Sequence, residues 1–225
     1  MKHLPLKQTF RIPGTFVGVG YTKDRAGFPL EAVRVPVPRP RDDQVLIRVA
    51  ASSLNPLEYK LAELNFLGRT PPVILGLDLS GIVVATGSAV RGVAVGDAVM
   101  AMADLNGDGG WDAGSSGEGS YALAREFLTI HKPEFLSFLY AAALPMCFLS
   151  AFAGLYATVQ ASDTVYIPGG AGGVGHLAVQ MAARALGGPA WSLVAAARRN
   201  RWPWPRSLAR TTFSTTNATT SPPKS

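Results

Sequence analysis

Between Val165 and Gly175 the chain reads Val-Tyr-Ile-Pro-Gly-Gly-Ala-Gly-Gly-Val-Gly. A short apolar, β-prone run, Thr164 to Ile167, empties into Gly170-Ala-Gly172-Gly173-Val174-Gly175, and an apolar helix-like segment follows from His176 to Leu186. Strand, Gly-x-Gly-x-x-Gly, helix is the order in which this glycine pattern binds a dinucleotide. Gly170 allows the tight turn, Gly172 lets backbone approach a pyrophosphate, and Gly175 lets helix and strand pack closely. Gly173 and Val174 belong to the same cofactor-binding turn, and the N-terminus of the helix that follows presents free N–H groups and a partial positive charge to the phosphates. The alternative is a tight glycine turn that holds no ligand.

The choice between the two nicotinamide dinucleotides can be argued from charge. Enzymes that use NAD place an acidic residue about 20 positions further on, where it binds the ribose 2′-hydroxyl. From Thr164 to Ser225 there is no Asp or Glu, whereas Arg198 and Arg199 follow a second β-prone run, Trp191 to Ala197. Two guanidinium groups there suit a 2′-phosphate, so NADP(H) is the expected cofactor.

Other chemistry is thinly represented. The single cysteine, Cys147, rules out a disulfide framework and any multi-thiolate metal site, and its apolar setting predicts a buried core position. His3, His131 and His176 stand in no nucleophile or metal spacing. Asp104-x-Asn106-x-Asp108-Gly109 copies the start of a calcium loop, but its twelfth position is Ser115 rather than Glu, so a polar surface loop is expected.

The elements that must position such a turn can be read coarsely. At 48% hydrophobic and 16% charged, the chain is globular rather than disordered up to about residue 188. Thr15–Thr22, Glu31–Val37, Gln44–Ala51, Gly81–Thr86 and Ala98–Ala103 are apolar or alternating runs bounded by turn residues, and read as strands. Residues 135–162 carry no charged side chain, long enough to span a bilayer, yet Pro145 breaks the run. Two buried helices, about 137–144 and 146–158, are expected instead, with no membrane contact. Antiparallel barrel-like β structure followed by a βαβ region is the architecture this pattern draws. The N-terminus lacks a signal-peptide core, which makes cytoplasm the expected location.

Several segments together resemble the medium-chain dehydrogenase/reductases. Ala-Ala-Ser-Ser-Leu-Asn-Pro-Leu-Glu-Tyr-Lys (50–60) looks like the segment that lines that family's active site. Pro-Val-Ile-Leu-Gly-Leu-Asp-Leu-Ser-Gly-Ile-Val (72–83), Val-Gly-Asp-Ala-Val (95–99), Gly-Ser-Tyr-Ala (119–122), Ala-Ala-Leu-Pro (142–145) and Leu-Ser-Ala-Phe (149–152) match its further landmarks, in order, over roughly residues 15–188. The resemblance implies α/β plus β architecture: a GroES-like β-barrel catalytic domain over 1–130, then an incomplete Rossmann domain, doubly wound and parallel, over 131–188. It also implies a cleft between them for substrate and nicotinamide.

The branch is set by what is missing. Zinc members carry a cysteine near the 53–58 segment, a Gly-His-Glu where this chain has Gly76-Leu77-Asp78, and a four-cysteine lobe around 95–120; none of these is present. A zinc site needs three or four Cys, His or carboxylate ligands. The chain is therefore similar to the zinc-independent quinone oxidoreductase-like and enone reductase branch, with no metal. That resemblance implies hydride transfer from NADPH to a small quinone or α,β-unsaturated carbonyl, with Asn55, Tyr59 and Lys60 as the site residues. A hydroxyl or ammonium at positions 59 and 60 can hydrogen-bond the substrate carbonyl. The competing reading is an exposed pair on a strand or helix. Ser150 stands where the family usually has Thr and is expected beside the nicotinamide, unless its hydroxyl caps or packs a helix.

Composition breaks near residue 188. Residues 189–225 hold six basic and no acidic side chains, three of the four tryptophans and five prolines, so the net charge of +6 belongs to this stretch alone. A basic tail of low order is expected, with nucleic-acid contact not favoured, since basic composition alone is poor evidence for it. Only 61 residues follow Thr164, against roughly 150 for a six-stranded dinucleotide fold. The expectation is a chain truncated or frame-shifted near 188 whose turnover is impaired. The alternative is an inactive nucleotide-binding or interaction fragment, which forms homo-oligomers or associates with a full-length relative.

Overall fold

In the computed structural model the described residues are 10–22, 30–64, 71–104, 119–156, 158–160, 163, 165–184 and 193–196. The polar loop from Asn106, residues 189–192 and 197–225 of the expected tail, and Arg198 and Arg199 lie outside them. The chain divides into two compact units, Met1–Met146 and Cys147–Ser225.

The first unit is built from antiparallel strands. β3 (Gln44–Ser53), β5 (Asp78–Thr86), β6 (Ala98–Met102), β7 (Tyr121–Arg125) and β8 (Thr129–His131) form a five-stranded sheet in the order β7-β3-β5-β6-β8. β1 (Thr15–Tyr21), β2 (Glu31–Pro36) and β4 (Val73–Ile74) form a second sheet in the order β2-β1-β4. β3 is buried on both faces, which is why Val45-Leu46-Ile47 is continuously apolar instead of alternating. Val45, Ile47 and Val49 meet Leu79, Val83, Val99 and Ala101 in one core. Leu46, on the opposite face, packs with Phe16, Val84, Tyr121 and Leu123 in another. The β3–β5 ladder shifts register between Leu46 and Ile47 and again between Val49 and Ala51. Such irregularities add twist, and they aim the end of β3 at the segment that follows.

Two further elements belong to this unit. α1 (Pro56–Leu64) leaves directly from the end of β3, with proline at the first helical position, where its missing N–H costs nothing. α2 (Phe138–Ala142) is capped by the Ser137 hydroxyl, which accepts from Tyr140 N–H, and its Ala141 and Ala142 are buried. The Ser80 hydroxyl of β5 donates to the Phe138 carbonyl, fixing α2 to the sheet.

α3 (Pro145–Tyr156) begins with the last two residues of the first unit, and in the second unit it supplies Ala151 and Leu155 to a core completed by Ile167 of β9 (Val165–Pro168) and Ala178 and Ala182 of α4 (Gly173–Arg184). β10 (Leu193–Ala196) pairs parallel to β9, Leu193 opposite Val165 and Ala196 opposite Pro168. Strand, helix and parallel strand make one βαβ unit, the start of a Rossmann arrangement. A described strand, β10, therefore lies beyond residue 188. Pro145 starts α3 and divides the charge-free stretch into two short helices. Among the described residues no helix is long and apolar enough to cross a membrane.

Leu79 has no exposed surface and sits at the centre of the first core. Leu79→Ala is expected to destabilise the first unit by about 2–5 kcal/mol, read by urea unfolding; a loss below 1 kcal/mol would mean that this core is not close-packed.

Candidate functional site

Where β3 ends, three segments converge on one carboxylate. Asp78, the first residue of β5, has no exposed surface. Its Oδ2 accepts from the Asn55 amide Nδ2 at 3.0 Å and from the Ser53 hydroxyl at 3.4 Å. Its Oδ1 accepts from the backbone N–H of Met146 at 2.9 Å, in the first turn of α3. An anion at a helix N-terminus satisfies an orphan donor and meets the positive end of the helix dipole. Burial nevertheless dominates: it pushes the Asp78 carboxyl up to about 6, against the pull of Asn55, Met146 and Ser53, and the nearby Glu58 adds to the rise.

Glu58 is the second carboxylate. It lies in the first turn of α1 and is 4% exposed. Its Oε1 accepts from the N–H of Asn55 and from the N–H of Leu77, each at 3.2 Å. Its Oε2 is buried without a hydrogen-bond partner. Burial raises its pKa, and the N–H of Leu77, the backbone and side chain of Asn55 and the N–H of Gly76 pull in the opposite direction. Asn55 precedes α1 and Glu58 stands three residues on, which is half of a capping box. The usual second half is absent, because the Asn55 side chain turns away from its own helix to Asp78. Gly76, with φ 114°, makes the turn that carries Leu77 N–H to Glu58 and delivers Asp78.

Of the three residues expected here, Asn55 is half-buried and held in this cluster, whereas Tyr59 and Lys60 are exposed on α1. Tyr59 is 54% exposed, and neither its hydroxyl nor the Lys60 ammonium hydrogen-bonds a described residue. Glu58 and Asp78 were not singled out from sequence. The signal for Glu58 was available as Asn55-x-x-Glu58 before an apolar stretch. Leu77 fills a buried cluster with Tyr21, Ala62, Val73 and Leu75. Among the described residues no three His, Cys, Asp or Glu side chains converge as a metal site would require.

The glycine turn lies in the second unit. The left-handed residue of the turn is Gly169, φ 72°, one position before the first glycine of the pattern. The first intrahelical bond of α4 runs from His176 N–H to the Gly172 carbonyl at 3.0 Å. The N–H groups of Gly173, Val174 and Gly175 therefore have no helical acceptor and are set to receive an anion. Gly170 is half-buried, Gly172, Gly173 and Val174 are exposed, and Gly175 is buried. A Cβ on Gly175 would lie 2.2 Å from the Gly169 carbonyl oxygen, so backbone and helix touch there. A Cβ on Gly173 would lie 3.0 Å from the Cys147 sulfur, which is half-buried in α3 rather than in a core. Ser150 is exposed on α3.

Residues 41–169 match the family defined by the alcohol dehydrogenase GroES-like domain. The chain is 38% identical over 157 residues to 2-methylene-furan-3-one reductase of Solanum lycopersicum, a match covering 68% of this chain and 40% of that protein. It is 37% identical over 155 residues to the chloroplastic NADPH-dependent alkenal/one oxidoreductase of Arabidopsis thaliana, covering 67% of this chain and 40% of that one. Among solved structures, the quinone oxidoreductase from Coxiella burnetii is similar with a TM-score of 0.67 at 37% identity, covering 83% of this chain and 58% of that chain. The chain thus spans less than two thirds of the length of each.

Two outcomes follow from this geometry. A carboxyl raised by folding is favourable when protonated and costly when ionised, so its penalty grows from about pH 4 to about pH 6 and is constant above. Relative to Asp78→Asn, the wild type should lose about 3 kcal/mol of stability across that window; a pH-independent difference in unfolding free energy would contradict it. Gly175→Ala should abolish nucleotide binding in a dye or cofactor fluorescence titration, because its contact is with backbone that cannot give way, whereas Gly172→Ala, 3.2 Å from the same oxygen, should keep measurable binding.

Proposed function

We propose, from the premise that the chain belongs to the alcohol dehydrogenase GroES-like family, in the quinone oxidoreductase-like branch of the medium-chain dehydrogenase/reductases, that it serves as an NADPH-dependent oxidoreductase of a quinone or an α,β-unsaturated carbonyl. The observation that carries this reading is the glycine turn, with three unpaired helix N–H groups, on a chain whose similar relatives include an NADPH-dependent alkenal/one oxidoreductase. The cofactor fits the residues present: the turn has no side chain to obstruct a pyrophosphate, and the first turn of α4 carries no acidic residue to repel one. Bound there, NADPH would supply the hydride.

The chain's own residues have the remaining tasks. Gly170, Gly172, Gly173, Val174 and Gly175 hold the diphosphate, Ser150 offers a hydroxyl to the cofactor, and Arg198 and Arg199 pair the 2′-phosphate. In the β-domain, residues 1–130, Asn55 orients the substrate. The Tyr59 hydroxyl and the Lys60 ammonium donate to the substrate oxygen, on which negative charge grows. Residues 131–188 carry the dinucleotide function.

Binding and turnover test this reading separately. NADPH should saturate the purified protein, and NADH should bind at least about tenfold more weakly, since it lacks the phosphate that two arginines recognise. Addition of menadione or an alkyl vinyl ketone should then consume the reduced nicotinamide absorbance. No saturable NADPH binding would overturn the cofactor assignment. Binding without substrate-dependent oxidation would reduce the function to nucleotide binding.

A further inference from the structure

We propose that Asp78 and Glu58 are positioning residues that fix the Asn55 amide, Asp78 by holding its NH2 and Glu58 by pinning its backbone, with Oδ1 left as the atom presented to substrate. The proposal rests on the reading of Asn55 as a site residue and goes beyond it by assigning which end of the amide acts.

The argument is one of donor and acceptor inventory. An ionised carboxylate only accepts hydrogen bonds, whereas an amide has a donor end and an acceptor end. The Asn55 Nδ2 lies 3.0 Å from Asp78 Oδ2, and Glu58 Oε1 lies 3.2 Å from the Asn55 backbone N–H. A buried carboxylate at hydrogen-bond distance admits only the NH2 end of the amide, so rotation by half a turn would aim Oδ1 at the Asp78 carboxylate. The backbone of Asn55 is pinned as well, its N–H donating to Glu58 Oε1 and its carbonyl accepting from Glu58 N–H at 3.0 Å. Among the described residues, Asn55 is bonded by Glu58 of α1 and Asp78 of β5, and Asp78 in turn by Ser53 of β3 and the Met146 N–H of α3; of these, the two carboxylates titrate.

The arrangement is costly as a mere helix cap. A neutral Asn or Ser side chain caps a helix without burying a charge. Here two carboxyls are buried beside each other, one of them with an oxygen that bonds nothing, and burial of acidic groups is unfavourable unless they are fully paired. What the pair accomplishes beyond capping is to select one of two nearly isosteric amide orientations. The consequence for chemistry is a division of labour. Asn55, its donors engaged, offers an acceptor to a hydroxyl or N–H on the substrate, and donation to the reducible oxygen falls to Tyr59 and Lys60.

The test reads the amide directly and does not depend on turnover. In nitrogen-15 spectra of the whole chain, the two Asn55 side-chain protons should be shifted downfield and should exchange with solvent about tenfold more slowly than those of an exposed asparagine. Asp78→Asn, which supplies a donor of its own to the amide, and Glu58→Gln should each remove that protection while backbone resonances of the α4 glycine turn stay in place. If Asp78→Asn fails to fold, acidification of the wild type through the protonation of Asp78 should produce the same loss. An unprotected Asn55 amide in the wild type, or one indifferent to all three changes, would overturn the proposal even where the protein reduces quinones. In menadione reduction, Asp78→Asn and Asn55→Ala should each lower kcat/KM about tenfold, and the double variant should fall no further than Asn55→Ala alone. A multiplicative loss near a hundredfold would show that Asp78 acts independently of Asn55. Wild-type protein that reduces no quinone, with the amide protected as described, would refute the activity and leave the positioning intact.

Discussion

The first unit depends on a buried negative charge. Asp78 is fully enclosed at the start of β5, and the segments around it are arranged to supply donors: the hydroxyl that ends β3, the amide that precedes α1 and a backbone N–H in the first turn of α3. An isolated carboxylate in that setting would be prohibitively costly, so the loop after β3 and the start of α3 are held where they can bond it. Glu58 repeats the device on a smaller scale, tying the N–H of Leu77 to the start of α1. Asp78 bonds the side chain of Asn55 and Glu58 its backbone N–H, so the residue proposed to meet substrate is held at both its side chain and its backbone.

The second unit meets its constraint with the absence of side chains. Gly175 must be glycine because backbone lies where a Cβ would stand, and Gly173 leaves room for the Cys147 sulfur. The result is a helix end with no acidic residue in its first turn, suited to an anionic ligand. A charge-rich cluster on a β-scaffold and a charge-free turn on a βαβ unit are complementary answers to the same problem, the placement of polar groups against apolar cores.

How much of this could be read from sequence follows the strength of each local pattern. The longer strands were legible because Val-Leu-Ile (45–47) and Ile-Val-Val (82–84) can be little else, and the glycine turn was legible because strand and helix flank it. Pro145 marked the break between α2 and α3 correctly, since proline begins helices more readily than it continues them. β4, β7 and β8 went unread: two, five and three residues long, they owe their pairing to partners distant in sequence rather than to periodicity. α1 was hidden because the segment 50–60 reads first as a functional motif. Asp78 enters the sequence reading only within Gly76-Leu77-Asp78, where zinc members have Gly-His-Glu, and nothing local distinguishes an acidic residue that will be buried from one that will be solvated. Tyr59 and Lys60, prominent in sequence, are the exposed members of the group, while the polar contacts concentrate on Asn55, Glu58 and Asp78.

The most direct measurement is a carbon-13 NMR titration of the Asp78 side-chain carboxyl in the intact chain. The account predicts that it titrates near 6, lifted by burial and by Glu58. A carboxyl that titrates at the ordinary value of about 4 would mean that Asp78 is solvated, and the cluster built around it could not then hold Asn55 as described.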